Sequence, residues 1–105
     1  MSDQAVYMFN ALWFKKDGGA KNYNKYLAAA HEVSEKLGIG VKMHKGFVPT
    51  EMLIGEWDPD LFFIAEYRDR ETFNIFVNSK EFLAIKPLRE DAIEKSLLIQ
   101  CDSFR

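Results

Sequence analysis

The sequence predicts an α+β fold in which helices cover one face of a four-stranded antiparallel sheet, and three observations support it. Residues 6–14 and 61–67 are dense in apolar and aromatic side chains and are followed by polar or turn-forming residues, as central strands are. From Ala20 the apolar period changes to that of a helix. Beyond the second of those runs, two cap signals at Asp69 and Ser79 announce further helices before a last apolar segment.

Taken in order, residues 6–14 form the first strand, stopped by Asp17-Gly18-Gly19. Tyr23, Tyr26, Leu27, Ala30, Val33 and Leu37 then recur along one helix face. Glu32 lies four before Lys36 on the polar side, and Gly38 ends the helix. Val41, Met43 and Phe47 alternate with Lys42, His44 and Gly46, which predicts a second strand with one wetter face. Pro49 interrupts it, and residues 51–54 continue it past a bend. Asp58-Pro59-Asp60 is a turn, and residues 61–67 are the third strand. Asp69 caps a helix whose inner face is Phe73, Phe76 and Val77. Ser79 caps a short helix that breaks at Pro87, and Pro87 starts a last helix over residues 87–95. Residues 97–101 close the chain as the fourth strand. The order is β-α-β-β-α-β, the split pattern of a ferredoxin-like domain, with an extra short helix before the last strand. A single domain over residues 1–105 follows from the length.

Charge and composition narrow the function classes. The net charge is −2 with the signs well mixed, so nothing builds the basic field that nucleic acid or an anionic membrane needs. Cys101 stands alone, which rules out an intrachain disulfide and a cysteine metal cluster and points to a reduced, cytoplasmic setting. The apolar run over residues 5–14 lacks a basic start and a small-residue cleavage site, so it reads as a strand and not a signal peptide. No stretch approaches the roughly twenty apolar residues of a membrane span. A soluble protein is expected.

The strands also predict a partner. Val6, Met8, Leu12 and Phe14 point one way, while Tyr7, Phe9, Ala11 and Trp13 point the other. The third strand repeats this, with Leu61, Phe63, Ala65 and Tyr67 opposite Phe62 and Ile64. Two apolar faces need two covers, and the helices supply one. The bare face is expected to pack on the same face of a second copy, giving a two-fold homodimer.

Polar residues within apolar strands are the candidates for chemistry. Asn10, Glu66 and Gln100 interrupt such strands, and a buried amide or carboxylate there requires a hydrogen-bonding partner, a water or a ligand. Histidine is the side chain whose unperturbed pKa lies near neutrality, which makes His44 the candidate acid or base, with Glu66 as the other proton carrier. An exposed surface histidine and a strand-end carboxylate paired to Arg68 are the plain alternatives. Trp13, Tyr23, Tyr26, Trp57 and Tyr67 are able to wall a pocket for a flat ligand, or to fill core and interface. Trp57 precedes a turn, from which it is able to reach over a pocket mouth. Arg89 is suited to clamp a carboxylate or to tie its helix to a neighbour. Two histidines without evident pairing predict no metal.

Several segments together carry a family resemblance: Tyr7-Met8-Phe9-Asn10, the Asp17-Gly18-Gly19 turn, Tyr26, Gly55-Glu56-Trp57, the strand ending at Tyr67, and the run from Asn78-Ser79 to Pro87-Leu88-Arg89. In this order they resemble DUF1330, a family of roughly hundred-residue domains of unknown function. The resemblance implies a ferredoxin-like fold assembled as a dimeric α+β barrel. That wider group includes cofactor-free monooxygenases, small-molecule isomerases and haem-degrading enzymes. The haem degraders resemble this chain in a first-strand asparagine comparable to Asn10, but they also need a histidine on the second helix, and residues 70–78 contain none. No cofactor is therefore expected.

Beside an interaction or structural dimer with no pocket, whose aromatics are consumed by core and interface, two functional readings follow. One is a cofactor-free enzyme acting on a small hydrophobic or aromatic metabolite, monooxygenase- or isomerase-like by analogy of fold. In it Asn10, Trp57, Tyr67 and Arg89 bind the substrate and His44 or Glu66 moves a proton. The other is a dimeric module that binds a small apolar or aromatic molecule without turnover.

Overall fold

The computed structural model describes residues 4–104. Its elements are β1 (Val6–Phe14), α1 (Gly19–Leu37), β2 (Lys42–Met43), β3 (Leu61–Tyr67), α2 (Arg70–Asn78), α3 (Lys80–Ala92) and β4 (Ile93–Cys101). The strands form one antiparallel sheet in the order β2-β3-β1-β4, so the two most apolar strands lie side by side at its centre. Their register runs from Val6 opposite Tyr67 to Leu12 opposite Leu61. The helices cover one face, which makes a ferredoxin-like α+β fold.

The chain sets its helix ends with identifiable groups. Gly38 adopts the left-handed conformation at φ 70°, and its N–H and that of Ile39 bond the carbonyls of Glu35 and Ser34, which closes α1. Asp69 caps α2 by accepting from the Thr72 N–H at 2.7 Å. The Ser79 hydroxyl serves two helices: it donates to the last turn of α2 at Phe76 O and accepts from Phe82 N of α3. Gly19 is needed for close approach, because a Cβ there would lie 2.7 Å from the Ala92 carbonyl oxygen and 2.9 Å from Phe14 Cβ.

The core lies between the helices and the inner sheet face. Met8, Leu12, Phe63 and Ala65 from the strands meet Tyr23, Tyr26 and Val33 of α1, Phe76 of α2 and Phe82 of α3. Leu12 is 0% exposed. A fully buried side chain of this size contributes roughly 1.5–3 kcal/mol of hydrophobic stabilisation. On the outer face Tyr7, Phe9, Ala11 and Trp13 line up with Phe62 and Ile64, and the β4 register adds Leu97 and Ile99. The chain's own loop folds back over part of this face. Trp57 stacks on Phe9 at 6.1 Å and 22°, and it also meets Phe62 and Trp13. Asp58 and Asp60 tether the loop end by accepting from the Trp13 indole at 3.0 Å and the Phe14 N–H at 2.7 Å.

Three expectations are corrected. First, Pro87 neither breaks nor starts a helix: α3 runs unbroken from Lys80 to Ala92 with Pro87 inside it. Pro87 and Leu83 are both exposed, so the carbonyl that the missing N–H leaves free faces solvent, while Phe82 and Ile85 hold the helix to the core. Second, β4 begins at Ile93 and not at residue 97. Ile93 and Lys95 pair with Phe14 and Trp13, and the sheet ladder overrides the helical tendency of Glu94-Lys95. Third, β2 is two residues long with one further bridge, Phe47 to Phe62, and residues 51–54 are not a strand. Pro49 has no N–H to continue the ladder, and Leu53 and Ile54 project outward, 82% and 91% exposed.

Replacing Pro87 with Ala restores the N–H and removes the ring from the α3 interior. The expected gain is about 1–2 kcal/mol, after the freer unfolded chain takes back part of it. Urea denaturation midpoints measure this. A loss of stability would mean that proline is needed there to start a helix.

Candidate functional site

Strand alternation sends Asn10 to the helix-covered face, together with Met8 and Leu12. There it meets Tyr23 and Tyr26 of α1, Phe63 and Tyr67 of β3, Phe76 of α2 and Arg89 in the last turn of α3, and between them is a cavity of about 350 Å³. Leu27, Ala30, Val41 and Met43 complete its apolar wall, with His31 and Ser34 also bordering it. Tyr23 and Tyr26 stand three residues apart, one helical turn, so both rings point the same way, 5.4 Å between centroids. Tyr67 is held edge-on by Phe73 at 5.1 Å.

The polar atoms in this cavity are under-used by the protein. Asn10 donates to the carbonyl of Met8 at 3.1 Å, and among the described residues no donor reaches its side-chain oxygen. The hydroxyls of Tyr23, Tyr26 and Tyr67 and the guanidinium of Arg89 have no hydrogen-bond or ion-pair partner among the described residues. Among the described residues no buried side-chain polar atom is stranded in dry core, so the hydroxyls open into the cavity.

Burial dominates the phenol chemistry. It pushes Tyr23 well above the usual phenol range, with the neighbouring Tyr26 adding to the rise and the charge of Arg89 opposing it. Tyr26 is raised by burial, again against Arg89, and Tyr67 by burial and then Tyr26. At neutral pH all three are O–H donors. The cavity can therefore hold a small apolar body and present three phenols, an amide and a guanidinium to one polar end of it.

Three of the six residues singled out from the sequence, Asn10, Tyr67 and Arg89, border this cavity. The other three do not. His44 and Glu66 pair with each other, Nε2 to Oε1 at 3.0 Å, on the opposite face of the sheet. The register accounts for this: Glu66 lies opposite Tyr7 and Asn10 opposite Phe63, and those two pairs point to opposite faces. Within one chain a proton carried by His44 or Glu66 has no route to a ligand held by Asn10 and Arg89, so the expected single site of all four is corrected. Trp57 lies over the outer face, on Phe9 and Phe62, and not over the cavity mouth. The aromatic set likewise divides, with the tyrosines on the cavity and Trp13 and Trp57 outside. Tyr23 and Tyr26, which the sequence offered either as pocket wall or as core, border the cavity. Among the described residues, no three His, Cys, Asp or Glu side chains gather as a metal site would need.

The fold and cavity place the chain among ferredoxin-like α+β proteins. It belongs to the family described as domain of unknown function DUF1330, whose model matches residues 7–100. A solved protein of unknown function from Rhodopseudomonas palustris is 25% identical, with a TM-score of 0.84 over 98% of this chain and 85% of that one. A dimeric protein of unknown function from Bacteroides fragilis, described as having a ferredoxin-like fold, is 13% identical (TM-score 0.65; 98% and 100% covered). Hydroxynitrile lyase from Passiflora edulis shares the fold at 13% identity (TM-score 0.73; 98% and 99% covered). No curated protein matches the sequence.

The tyrosines make stability depend on alkaline pH. Their folded-state pKa values are raised, so the native protein keeps protons that the unfolded chain releases above about pH 10. Stability is full below that point and falls above it, by up to roughly 1.4 kcal/mol per pH unit for each tyrosine. Tyr67→Phe should flatten that decline by one group's share in urea titrations. An unchanged slope would place the Tyr67 hydroxyl in water.

Proposed function

We propose that this protein binds one small apolar or aromatic molecule in the cavity between α1, α3 and the sheet, and that it works as a homodimer joined through the outer sheet face. The observation behind the binding reading is the convergence on one mostly apolar cavity of about 350 Å³ of Tyr23, Tyr26, Tyr67 and Arg89, which have no polar partner among the described residues, and of Asn10, which uses one N–H on Met8. A core built only for stability would close such a space, since an unfilled cavity costs stability in proportion to its volume. The volume is at the small end of the range for ligand pockets and suits a single-ring or short-chain compound.

A cofactor-free enzyme is the second reading, and the raised phenols favour it. Neutral O–H donors and a guanidinium lining one cavity are suited to stabilise negative charge developing on a substrate oxygen. The cavity lining contains no carboxylate, and its one histidine, His31, is largely exposed and 4.0 Å from Glu35. Binding is thus the better supported of the two, with any proton transfer left to the ligand's own groups or to water.

The dimer reading draws support from the outer face, where Leu97 and Ile99 remain exposed beside the Phe9–Phe62–Trp57 cluster, and from structural relatives described as dimeric. A cytoplasmic setting agrees with the lone Cys101, and among the described residues no helix is long and apolar enough to cross a membrane.

Thermal-shift screening against small aromatic and aliphatic compounds tests the binding reading. A ligand at about a hundred times its Kd adds roughly 2.7 kcal/mol, a rise of several degrees in a domain of this size. Ala30→Trp fills the cavity from α1 and should abolish the rise while leaving the circular dichroism spectrum intact. Shifts that persist in Ala30→Trp would sink the assignment to this cavity. For the assembly, Ile99→Lys places a charge at a position 47% exposed in the single chain. Sedimentation should show a folded monomer, and a dimer unaffected by the lysine would exclude this face.

A further inference from the structure

We propose that the cavity selects a carboxylate: its ligand is a small apolar or aromatic monocarboxylic acid, gripped as the anion by Arg89 with the Tyr23 and Tyr26 hydroxyls and the Asn10 amide. This rests on the reading that the cavity binds a ligand, and it names the chemistry of that ligand.

Arg89 is the central observation. It is half-buried, it borders the cavity, and no carboxylate among the described residues pairs with it. A guanidinium partly withdrawn from water and without an acidic partner is free to form charge-assisted hydrogen bonds to an anion that a ligand delivers. The acidic side chains nearest in sequence, Glu90 and Asp91, are exposed and do not border the cavity. Of the other titratable groups on the lining, the three tyrosines are neutral at pH 7, and His31 lies 4.0 Å from Glu35, which does not border the cavity. Charge within the cavity is therefore positive and unbalanced.

The surroundings match one anion of limited size. Arg89 lines the same cavity as Tyr23 and Tyr26, and its charge opposes the burial-driven rise of both phenols. A planar fork that shares one cavity with two O–H donors suits the two oxygens of a carboxylate. Asn10 has a second N–H beyond the one that Met8 takes. Leu27, Ala30, Phe63 and Phe76 offer nothing polar, so the rest of the molecule must be apolar. A single guanidinium on the lining argues for a single negative charge.

Matched pairs of probes test this by calorimetry on the full chain: cinnamate against cinnamamide, and hexanoate against hexanamide. Each acid should bind about 10–100-fold more tightly than its amide, the range for hydrogen bonds to a charged group. Arg89→Gln should erase most of that preference, Arg89→Lys should retain part of it, and Tyr26→Phe should weaken the acid and leave the amide nearly unchanged. If Arg89→Gln fails to fold, the lysine and phenylalanine variants still report the preference. Amides binding as tightly as acids would overturn carboxylate selection and leave the cavity reading standing. Neither acid nor amide binding would remove both, and a preference unchanged in Arg89→Lys and Tyr26→Phe would move the anion to another site.

Discussion

The antiparallel pairing of β1 with β3 is the constraint on which the rest depends. Both strands are apolar on both sides, and their register, Val6 opposite Tyr67 through Leu12 opposite Leu61, decides what each side meets. One set of side chains goes beneath the helices and builds the core. The other makes an aromatic outer face. A slip of one residue would exchange the two sets, placing Asn10 outside and Glu66 within. Hydrophobic burial on the helix side therefore fixes the location of the chemistry as well as the stability.

Polar groups are distributed by the same rule. Asn10, under the helices, joins residues that α1 and α3 bring to it, and its neighbours are neutral phenols and one guanidinium. Glu66 is four residues further along β3 than Phe62 and shares the outer face with it. It finds His44 across the short β2 edge, where both retain contact with solvent. The sheet between them is a low-dielectric wall, so each pair answers to its own surroundings. The inner group lies where electrostatic interactions are strong, and the outer pair lies where water screens them.

Local signals were the most legible. Asp69, Ser79 and Gly38 act within a few residues of themselves, and each does in the structure what its type and position imply. Signals that compete with distant packing were read less well. Pro87 is a strong helix breaker by local rule, yet tertiary contacts of Phe82 and Ile85 keep α3 whole around it. Glu94 and Lys95 are ordinary helix residues that the ladder with β1 claims for β4. The alternation at Val41 to Phe47 promised a longer strand than an edge interrupted by Gly46 and Pro49 can sustain. Asn10 and Arg89 were recognisable as polar exceptions. Tyr23 and Tyr26 were legible only as aromatics for a pocket wall or for core, because a tyrosine on an apolar helix face looks the same whether its hydroxyl meets core, water or a ligand.

By itself the sequence determined the order of elements, the two-sided apolar character of the central strands, the helix caps and the family, because each depends on residue type and short spacing. Only the tertiary structure decided which polar residues share a site. Asn10, Tyr26, Tyr67 and Arg89 are spread over most of the chain and meet only when β1 pairs with β3 and α1 packs against α3. His44 and Glu66, just as prominent in the sequence, were sent to the other side by the two-residue period of a strand. Which groups meet is settled by register and helix packing, and these are long-range outcomes of burying two apolar faces at once.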